Sequence, residues 1–215
     1  LKDENLTITE QLITIGANKE LLIQIKADSN ALQLPIQLEL SQATFKNGYL
    51  LQKTNNTLSA TPHFAHEQFI HANGFSNQAY VYTTNEVTFN DLQNDLFADD
   101  IYYLANRYVV QGSNGSYRSG DSITRADFAV MIARSMNATP QTATKFADVK
   151  GHYYEQAVQA LYELKIINGI SDTQFNPTAA LSREHAAIMM ARVLRHAGVE
   201  QPATYTLAYA DMDKI

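Results

Sequence analysis

The chain contains no cysteine and no tryptophan, and its 22 acidic residues outnumber its 16 basic ones. The absence of cysteine excludes disulfide bonds and thiolate metal sites, and it fits an exported bacterial protein. The net charge of −6 disfavours nucleic acid and anionic membranes as partners. No apolar run approaches the roughly 20 residues that a membrane span requires, so we expect no membrane span.

Sequence features of enzymes and of export signals are also missing. No serine or other nucleophile can be assigned a general base and an orienting group, and no glycine-rich phosphate loop occurs. We therefore expect neither catalysis nor a bound cofactor. No basic segment is followed by an apolar one as in a signal peptide, and the chain opens on Leu1, which favours a mature or truncated product.

An internal repeat occupies the second half of the chain. Four short motifs recur in the same order, and the interval from the opening Phe to the Gly is the same in both copies. The motifs are Phe89-Asn90-Asp91, Val109-Val110-Gln111-Gly112, Tyr117 and Ile123-Thr124-Arg125-Ala126-Asp127 in the first copy, and Phe146-Ala147-Asp148, Ile166-Ile167-Asn168-Gly169, Phe175-Asn176-Pro177 and Leu181-Ser182-Arg183-Glu184 in the second. A third copy begins at Tyr209. The C-terminal part is therefore a repeat array.

These motifs resemble the S-layer homology family, the surface-anchoring modules of Gram-positive and related bacteria. The resemblance covers roughly residues 89–215, and Ile123–Asp127 differs from the family's usual Ile-Thr-Arg-Ala-Glu only in its last residue. The resemblance implies a non-enzymatic, lectin-like function. Such modules usually come in threes, pack as a pseudo-trimer of helices and hold the secondary polysaccharide attached to peptidoglycan.

The first 88 residues have a different pattern, which predicts strands. Residues 32–40 alternate apolar and polar side chains, and Pro35 within them favours an edge strand because it lacks an amide donor. Asn47-Gly48 predicts a hairpin between residues 43–45 and 49–51. With further β-rich runs at 6–15, 21–26 and 79–83, we expect a small antiparallel, sandwich-like β domain, of which about five strands are visible in the sequence.

Each repeat contains a helix with a recognisable start. Thr124 and Asp127 have the spacing of a capping box, which predicts a helix over about 124–136 with Phe128, Met131, Ile132 and Met136 on its buried face. Ser182 is the equivalent cap in the second copy, where the helix should end at Gly198. His185 replaces the acid of the box there, so the two copies need not bind equally.

The helix-opening arginines, Arg125 and Arg183, are the main candidates for ligand binding. A guanidinium at a capped helix start can form paired hydrogen bonds to a glycan carboxylate, a geometry that lysine reproduces poorly. The alternative is that each arginine forms a salt bridge with the Asp of an adjacent repeat and fixes the packing of the repeats. The sequence leaves both possibilities open.

The resemblance assigns further residues to the same site. The full set of predicted carbohydrate-binding residues is Arg125, Arg183, Asp91, Asp148, Tyr153, Gly112 and Gly169. Tyr153 stands where the family usually has tryptophan and can still stack on a sugar ring. Leu96 holds that position in the first copy and cannot, so the first copy should have lost part of its site.

A histidine-rich segment invites comparison with a metal site. His63, His66 and His71 surround Glu67, but His66 and His71 miss the helical zinc-protease spacing, and His63 and His66 would face opposite sides of a strand. We therefore expect a polar loop or strand edge and no bound metal.

Together these patterns predict an α+β chain in which a β domain precedes helix-loop-helix repeats that form a partial pseudo-trimer. The predicted boundaries are 1–88 for the β domain, 89–145 for repeat one, 146–208 for repeat two and 209–215 for an incomplete third repeat.

The predicted function is that of an extracellular protein held non-covalently on the bacterial wall through secondary cell-wall polysaccharide. Two alternatives remain. The repeats and the β domain could make mainly protein–protein contacts with other copies of the chain in a surface layer or filament. The segment could also be the anchor of a surface enzyme.

Overall fold

The computed structural model describes residues 6–15, 18–27, 35–41, 48–55, 57–66, 69–75, 77–84 and 86–199. These residues form an α+β fold with eight strands followed by four helices. The elements are β1 (Leu6–Ile15), β2 (Asn18–Ala27), β3 (Pro35–Ser41), β4 (Tyr49–Thr54), β5 (Thr57–Ala60), β6 (His63–His66), β7 (Phe69–Phe75), β8 (Gln78–Thr83), α1 (Ala98–Asn106), α2 (Arg125–Ser135), α3 (Glu155–Glu163) and α4 (Arg183–His196). The expected third repeat lies outside the described residues, as does the first strand of the Asn47-Gly48 hairpin.

The strands form two antiparallel sheets. One has five strands in the order β1-β2-β8-β4-β5, and the other has three in the order β3-β7-β6. Pro35 opens β3, which among the described strands pairs with β7 alone and lies at the end of its sheet, as the edge-strand prediction requires. At such an edge the missing amide of proline costs no ladder hydrogen bond.

The two sheets share one apolar core. Ile23, Ile25 and Tyr80 from the larger sheet and Leu38 and Ile70 from the smaller one belong to a single buried cluster. Ile23 and Ile25 face the same side of β2 because side chains alternate along a strand. Burying each such side chain contributes about 1.5–3 kcal/mol, so this shared cluster holds the two layers together.

The helix starts agree with the sequence patterns. The Thr124 side chain accepts a hydrogen bond from the Asp127 amide, and Ser182 accepts one from His185 in the same way. The Asp127 carboxylate accepts the Thr124 hydroxyl hydrogen at 2.7 Å, in place of the Thr124 amide that it would accept in a complete capping box. Each N-cap hydroxyl thus satisfies one amide that the first helical turn leaves without a partner.

All four helices end with a residue in the left-handed conformation. These residues are Tyr108, Asn137, Lys165 and Gly198, with φ angles of 60°, 50°, 59° and 77°. After α4 the Gly198 amide donates to the carbonyl of Arg195, and the Val199 amide donates to the carbonyl of Leu194. These two bonds form the Schellman motif. The predicted stop at Gly198 is confirmed.

Helix α2 is buried by small residues more than by large ones. Ala129 and Ala133 are 0% and 4% exposed, whereas three of the four predicted core residues, Phe128, Met131 and Met136, are only partly buried. The predicted face is therefore confirmed at Ile132, and the other three residues pack against the apolar clusters from partly buried positions. The prediction omitted Ala129 and Ala133, whose small side chains lie within the core. The contact between α2 and α3 crosses the boundary between the two sequence repeats.

Polar contacts join the β domain to the helices. The buried side chain of Asn106 accepts a hydrogen bond from the Val87 amide at 2.7 Å and donates one to the Tyr49 hydroxyl at 3.1 Å. A second contact runs from the Asn137 side chain to Gln52 at 2.8 Å. Within the described part of the chain, no helix combines the length and the apolar character needed to cross a membrane.

Candidate functional site

The carboxylate of Asp91 fixes the loop of repeat one. Its two oxygens accept hydrogen bonds from the amides of Tyr117 at 2.9 Å and Arg118 at 2.7 Å. These bonds, that of Tyr117 first, lower the pKa of Asp91. Arg118 has a φ of 63°, a conformation that is uncommon outside glycine, and the bond to Asp91 helps to hold it.

Asp148 has the same role in repeat two. It accepts hydrogen bonds from the amides of Phe175 at 2.9 Å and Asn176 at 2.7 Å, and Asn176 has a φ of 61°. Asp91 and Asp148, both predicted to bind sugar hydroxyls, therefore already accept two amides each. Their common contribution in this structure is to shape the loop that follows α1 or α3.

The glycines of the repeated motif allow a phenylalanine ring to pack against the backbone. A Cβ atom at Gly112 would lie 2.5 Å from the Phe89 ring and 2.4 Å from the Ser116 carbonyl oxygen. At Gly169 it would lie 2.4 Å from the Phe146 ring. Such contacts are closer than atoms tolerate, which explains why a glycine stands at this position in both copies.

Arg125 contacts the loop of repeat two. Its guanidinium donates to the carbonyl oxygens of Phe175 at 3.2 Å and Asn168 at 3.3 Å, and it lies 4.7 Å from the centre of the Phe175 ring. Burial lowers the pKa of Arg125. The guanidinium meets carbonyl groups of the adjacent repeat and forms no ion pair with Asp148, so the contact is not the salt bridge considered from the sequence.

The start of α2 is completed by the same loop. The amide of Arg125 donates to the Ala179 carbonyl and that of Ala126 to the Pro177 carbonyl, both at 3.0 Å. These amides belong to the first turn, which has no partners within its own helix. The last helix of repeat one is thus capped by repeat two.

Arg183 occupies the equivalent place at the start of α4 and is exposed. Within residues 86–199, its guanidinium forms no hydrogen bond or ion pair. Arg125 and Arg183 therefore differ in their surroundings, because only Arg125 is followed by a described loop that contacts it.

A groove of about 590 Å³ lies where repeat one meets repeat two. We call it the inter-repeat groove, and it is lined by residues 110–113, 117–119, 121–123, 127, 130, 131, 134 and 153. Most of these belong to the loop of repeat one and to α2, and Tyr153 comes from repeat two. Three serine hydroxyls and the side-chain amide of Gln111 provide neutral donors and acceptors.

Tyr153 forms one wall of the inter-repeat groove. Its hydroxyl donates a hydrogen bond to the Asp127 carboxylate, and the pKa of Tyr153 is raised to about 12 by burial and, next, by that bond. The residue is nevertheless 71% exposed, and Leu96, its equivalent in repeat one, is 89% exposed. A ring held by its hydroxyl and open to solvent can stack on a sugar.

Arg134 is a groove residue that the sequence reasoning missed. Its guanidinium is half-buried, which lowers its pKa, and it donates a hydrogen bond to the Gln111 side chain at 3.2 Å. No described carboxylate forms an ion pair with it, so its remaining donors are available to a ligand. The sequence held a signal, because Arg192 follows Arg183 at the same interval at which Arg134 follows Arg125.

The structure divides the predicted site residues into two groups. Gly112 and Tyr153 line the inter-repeat groove with Arg134, while Arg125 lies with Asp148 and Gly169 around the loop of repeat two. The groove offers the guanidinium of Arg134, hydroxyls and an aromatic ring. Its other charged groups are already engaged, because Arg118 pairs with Asp121 and Asp127 accepts the Tyr153 hydroxyl, so Arg134 is the group suited to contact a polar ligand.

Comparison with known proteins supports the same interpretation of the repeats. The family model of the S-layer homology domain matches residues 88–129 and 145–187. A Surface-layer 125 kDa protein of Lysinibacillus sphaericus is 33% identical over 86 residues, which are 39% of this chain and 7% of that protein.

Two other relatives are an anchoring protein and an enzyme. The Cellulosome-anchoring protein of Acetivibrio thermocellus is 25% identical over 118 residues, 51% of this chain and 26% of that protein. An Amylopullulanase of Thermoanaerobacterium thermosulfurigenes is 34% identical over 108 residues, 49% of this chain but 6% of the enzyme. The chain thus spans only a small part of each relative.

Domains of this family anchor surface proteins to the cell wall, and the two matched segments coincide with the two repeats whose loops and helix starts are described above. The protein is therefore an extracellular cell-surface protein that carries two S-layer homology domains, at residues 88–129 and 145–187.

Proposed function

We propose that this chain anchors a surface protein to the bacterial wall by binding secondary cell-wall polysaccharide in the inter-repeat groove. The observation that carries the proposal is the pairing of Arg134, a guanidinium without a carboxylate partner among the described residues, with the exposed ring of Tyr153. Together they match an acidic sugar, which presents both a carboxylate and a ring face.

Arg134 supplies the charge for this interaction. Partial burial strengthens its hydrogen bonds to an anion, and a planar guanidinium can bind a carboxylate through two parallel bonds. Gln111 accepts one N–H and so orients the group. An ion pair joins Arg118 to Asp121 at 3.7 Å on the exposed rim, where it adds little.

The residues assigned by the family resemblance act around this centre. Asp91 and Gly112 shape the loop that forms one wall, and Tyr153 stacks on the sugar while Asp127 holds its hydroxyl. In repeat two, Asp148 and Gly169 shape the equivalent loop and Arg125 contacts it, while Arg183 opens α4. We place a second site for the same acidic glycan on this loop, with Arg125 and Arg183 as its arginines and with Arg192, which donates to the Ile166 carbonyl, at the position equivalent to Arg134.

A pull-down on purified cell-wall sacculi tests the proposal. Wild type should bind intact sacculi and lose binding after acid extraction of the polysaccharide. Arg134→Lys should weaken binding about tenfold, because lysine keeps the charge and loses the paired geometry. Tyr153→Leu, which copies Leu96, should weaken it also.

The matched control is Arg195→Ala, which removes one exposed arginine charge from α4. The Arg125→Ala/Arg183→Ala double variant tests the second site. Equal binding by wild type, Arg134→Lys and Tyr153→Leu, or binding that survives extraction, would contradict the proposal.

Self-assembly is a second candidate that one observation favours. Helix α4 exposes Met190 and Leu194, which lie four residues apart on one side of the helix and are 42% and 48% accessible. An apolar helix face of this kind suits contact with another protein surface. Analytical ultracentrifugation distinguishes the two functions, since self-association that Met190→Ser abolishes without affecting sacculus binding would assign this face to assembly.

A further inference from the structure

A second cavity lies between the β domain and the helices, apart from the inter-repeat groove. It has a volume of about 350 Å³, and its polar lining residues are Thr61, His63, His71, Tyr103, Arg107 and Ser135. Its other lining residues are apolar and come from β5, β7 and α1 and the turns that follow β5 and α1. We call it the junction cavity. Ligand sites commonly occupy about 300–1,000 Å³ at such domain contacts.

Arg107 brings a positive charge to the junction cavity. Its guanidinium carbon lies 3.8 Å from the centre of the Tyr103 ring and 5.3 Å from that of Tyr49. Burial lowers the pKa of Arg107, so holding the charge there has a cost. Two aromatic faces offset part of that cost. No described carboxylate forms an ion pair with Arg107, and none is among the described residues that line the cavity.

The histidine beside Arg107 does not supply a counter-charge. His63 donates through Nδ1 to the Thr61 carbonyl at 2.7 Å, and its Nε2 lies 3.5 Å from the Leu50 amide. Burial and then the charge of Arg107 lower the pKa of His63, which keeps the ring neutral. The Thr61 hydroxyl is buried and has no hydrogen-bond partner among the described residues. The cavity therefore contains a cation, Arg107, and a buried hydroxyl, Thr61, that could both donate hydrogen bonds to a bound acceptor.

We propose that the junction cavity binds a small carboxylate with an apolar body, its carboxylate on Arg107 and its body against Leu104, Ala72 and Val109. A carboxylate supplies two acceptors in the geometry of the guanidinium fork. The apolar lining favours an aromatic or branched acid over a sugar, which separates this site from the inter-repeat groove. The proposal does not depend on glycan binding.

Titration of the full chain with benzoate tests this site, with benzamide as the neutral molecule of the same shape. Benzoate should bind and should shift the NMR signals of the His63 ring, and benzamide should bind at least tenfold more weakly. Arg107→Met should reduce benzoate affinity at least tenfold.

A second variant keeps the test valid if Arg107→Met fails to fold. Ser135→Leu places a larger side chain at the cavity from the exposed end of α2 and should block benzoate. Both variants should retain wild-type binding to sacculi. Equal binding of benzoate and benzamide, benzoate binding that survives Ser135→Leu, or no shift of the His63 signals up to saturating benzoate would overturn the proposal.

Discussion

At the residue scale, the hydrogen bond from the Tyr153 hydroxyl to Asp127 has a testable effect on the pKa of Tyr153. Its pKa is raised to about 12 by burial and, second, by the hydrogen bond to Asp127. Asp127→Asn removes the charge that favours the neutral phenol, so the pKa of Tyr153 should fall toward the ordinary value of about 10. An NMR pH titration, with Tyr153→Phe to identify the resonance, measures it.

The same pKa fixes the sign of a stability effect. Because the folded pKa lies above the unfolded one, the contribution of Tyr153 is complete below about pH 10 and is lost as the pH rises toward about 12. Wild type should lose its stability advantage over Asp127→Asn across that window. A constant difference in free energy of unfolding from pH 8 to pH 12 would contradict this account.

Single residues differ in how far the sequence predicts them. Thr124 and Ser182 were predictable as N-caps, because a hydroxyl just before a helix accepts a hydrogen bond from an unpaired amide of the first turn. The repeated interval marked Arg134 as a position shared by both repeats, but its role could not be predicted, because Gln111 and Tyr153 approach it only in the folded chain. Asp91 and Asp148 matched a binding motif, yet their hydrogen bonds to loop amides could not be read from spacing.

At the element scale, α3 holds the linker between the repeats through Glu163. Its carboxylate accepts hydrogen bonds from the amides of Gln141 at 2.8 Å and Thr142 at 2.9 Å. The Thr142 hydroxyl first and then the Gln141 amide lower the pKa of Glu163 to about 2. Glu163→Gln should therefore lower the melting temperature at pH 7, where the wild-type carboxylate is charged.

The direction of the pH dependence follows from the lowered pKa. The contribution of Glu163 is complete above its ordinary pKa of 4.5 and is lost as the pH falls toward about 2. The melting temperatures of wild type and Glu163→Gln should converge over that range in calorimetric scans. A gap that stays the same at pH 7 and pH 2.5 would show that the linker does not depend on this charge.

Helices α2 and α4 contain equivalent positions that differ in burial. Ile132 in α2 is 4% exposed beneath α3, and the equivalent Met190 in α4 is 42% exposed. Ile132→Ala should cost about 2–5 kcal/mol of unfolding free energy, because it leaves a cavity in the core. Met190→Ala should cost under about 0.5 kcal/mol, as at an ordinary surface position. Urea denaturation measures both, and similar losses would mean that α4 is covered in solution.

Regular elements were predictable where their patterns were strong. The alternation around β3 and the Pro35 signal fixed an edge strand, and the helix caps fixed the starts of α2 and α4. Strands β5 and β7 were missed because β5 is short and β7 contains Asn73 and Gly74, which are uncommon in strands. The histidine segment of β6, expected to be a polar loop or strand edge, forms an edge strand. Their pairing comes from neighbouring strands, which local propensity does not describe.

At the scale of the whole molecule, Asn106 couples the β domain to the helices. It is 5% exposed, and Asn106→Leu would leave the Val87 amide and the Tyr49 hydroxyl without their partner. Each lost partner costs about 1–3 kcal/mol, so this variant should lose about 2 kcal/mol or more. Guanidinium denaturation followed by far-UV circular dichroism measures the loss.

The control for this junction is Gln52→Ala. It removes the partly buried contact with Asn137, whose groups can turn to water, so its cost should stay under about 1 kcal/mol. An equal loss for Gln52→Ala and Asn106→Leu would refute the central role of Asn106.

The arrangement of the two halves could not be predicted from the sequence. Composition and repeats separated the β-rich first half from the helical second half, and the structure agrees. The contacts between them depend on isolated polar residues such as Asn106 and Tyr49, which have no periodicity. Likewise, the two-layer core needed strand pairing between distant segments, such as β2 with β8.

The carbonyl groups of residues 177 and 179, which cap α2, are synthesised after that helix. The ribosome releases α2 long before it releases the loop that completes the first turn of that helix. Until then the amides of Arg125 and Ala126 have only water as a partner, and the helix start frays. Repeat one is therefore completed by repeat two, and a chain that stops between them should have a frayed start to α2.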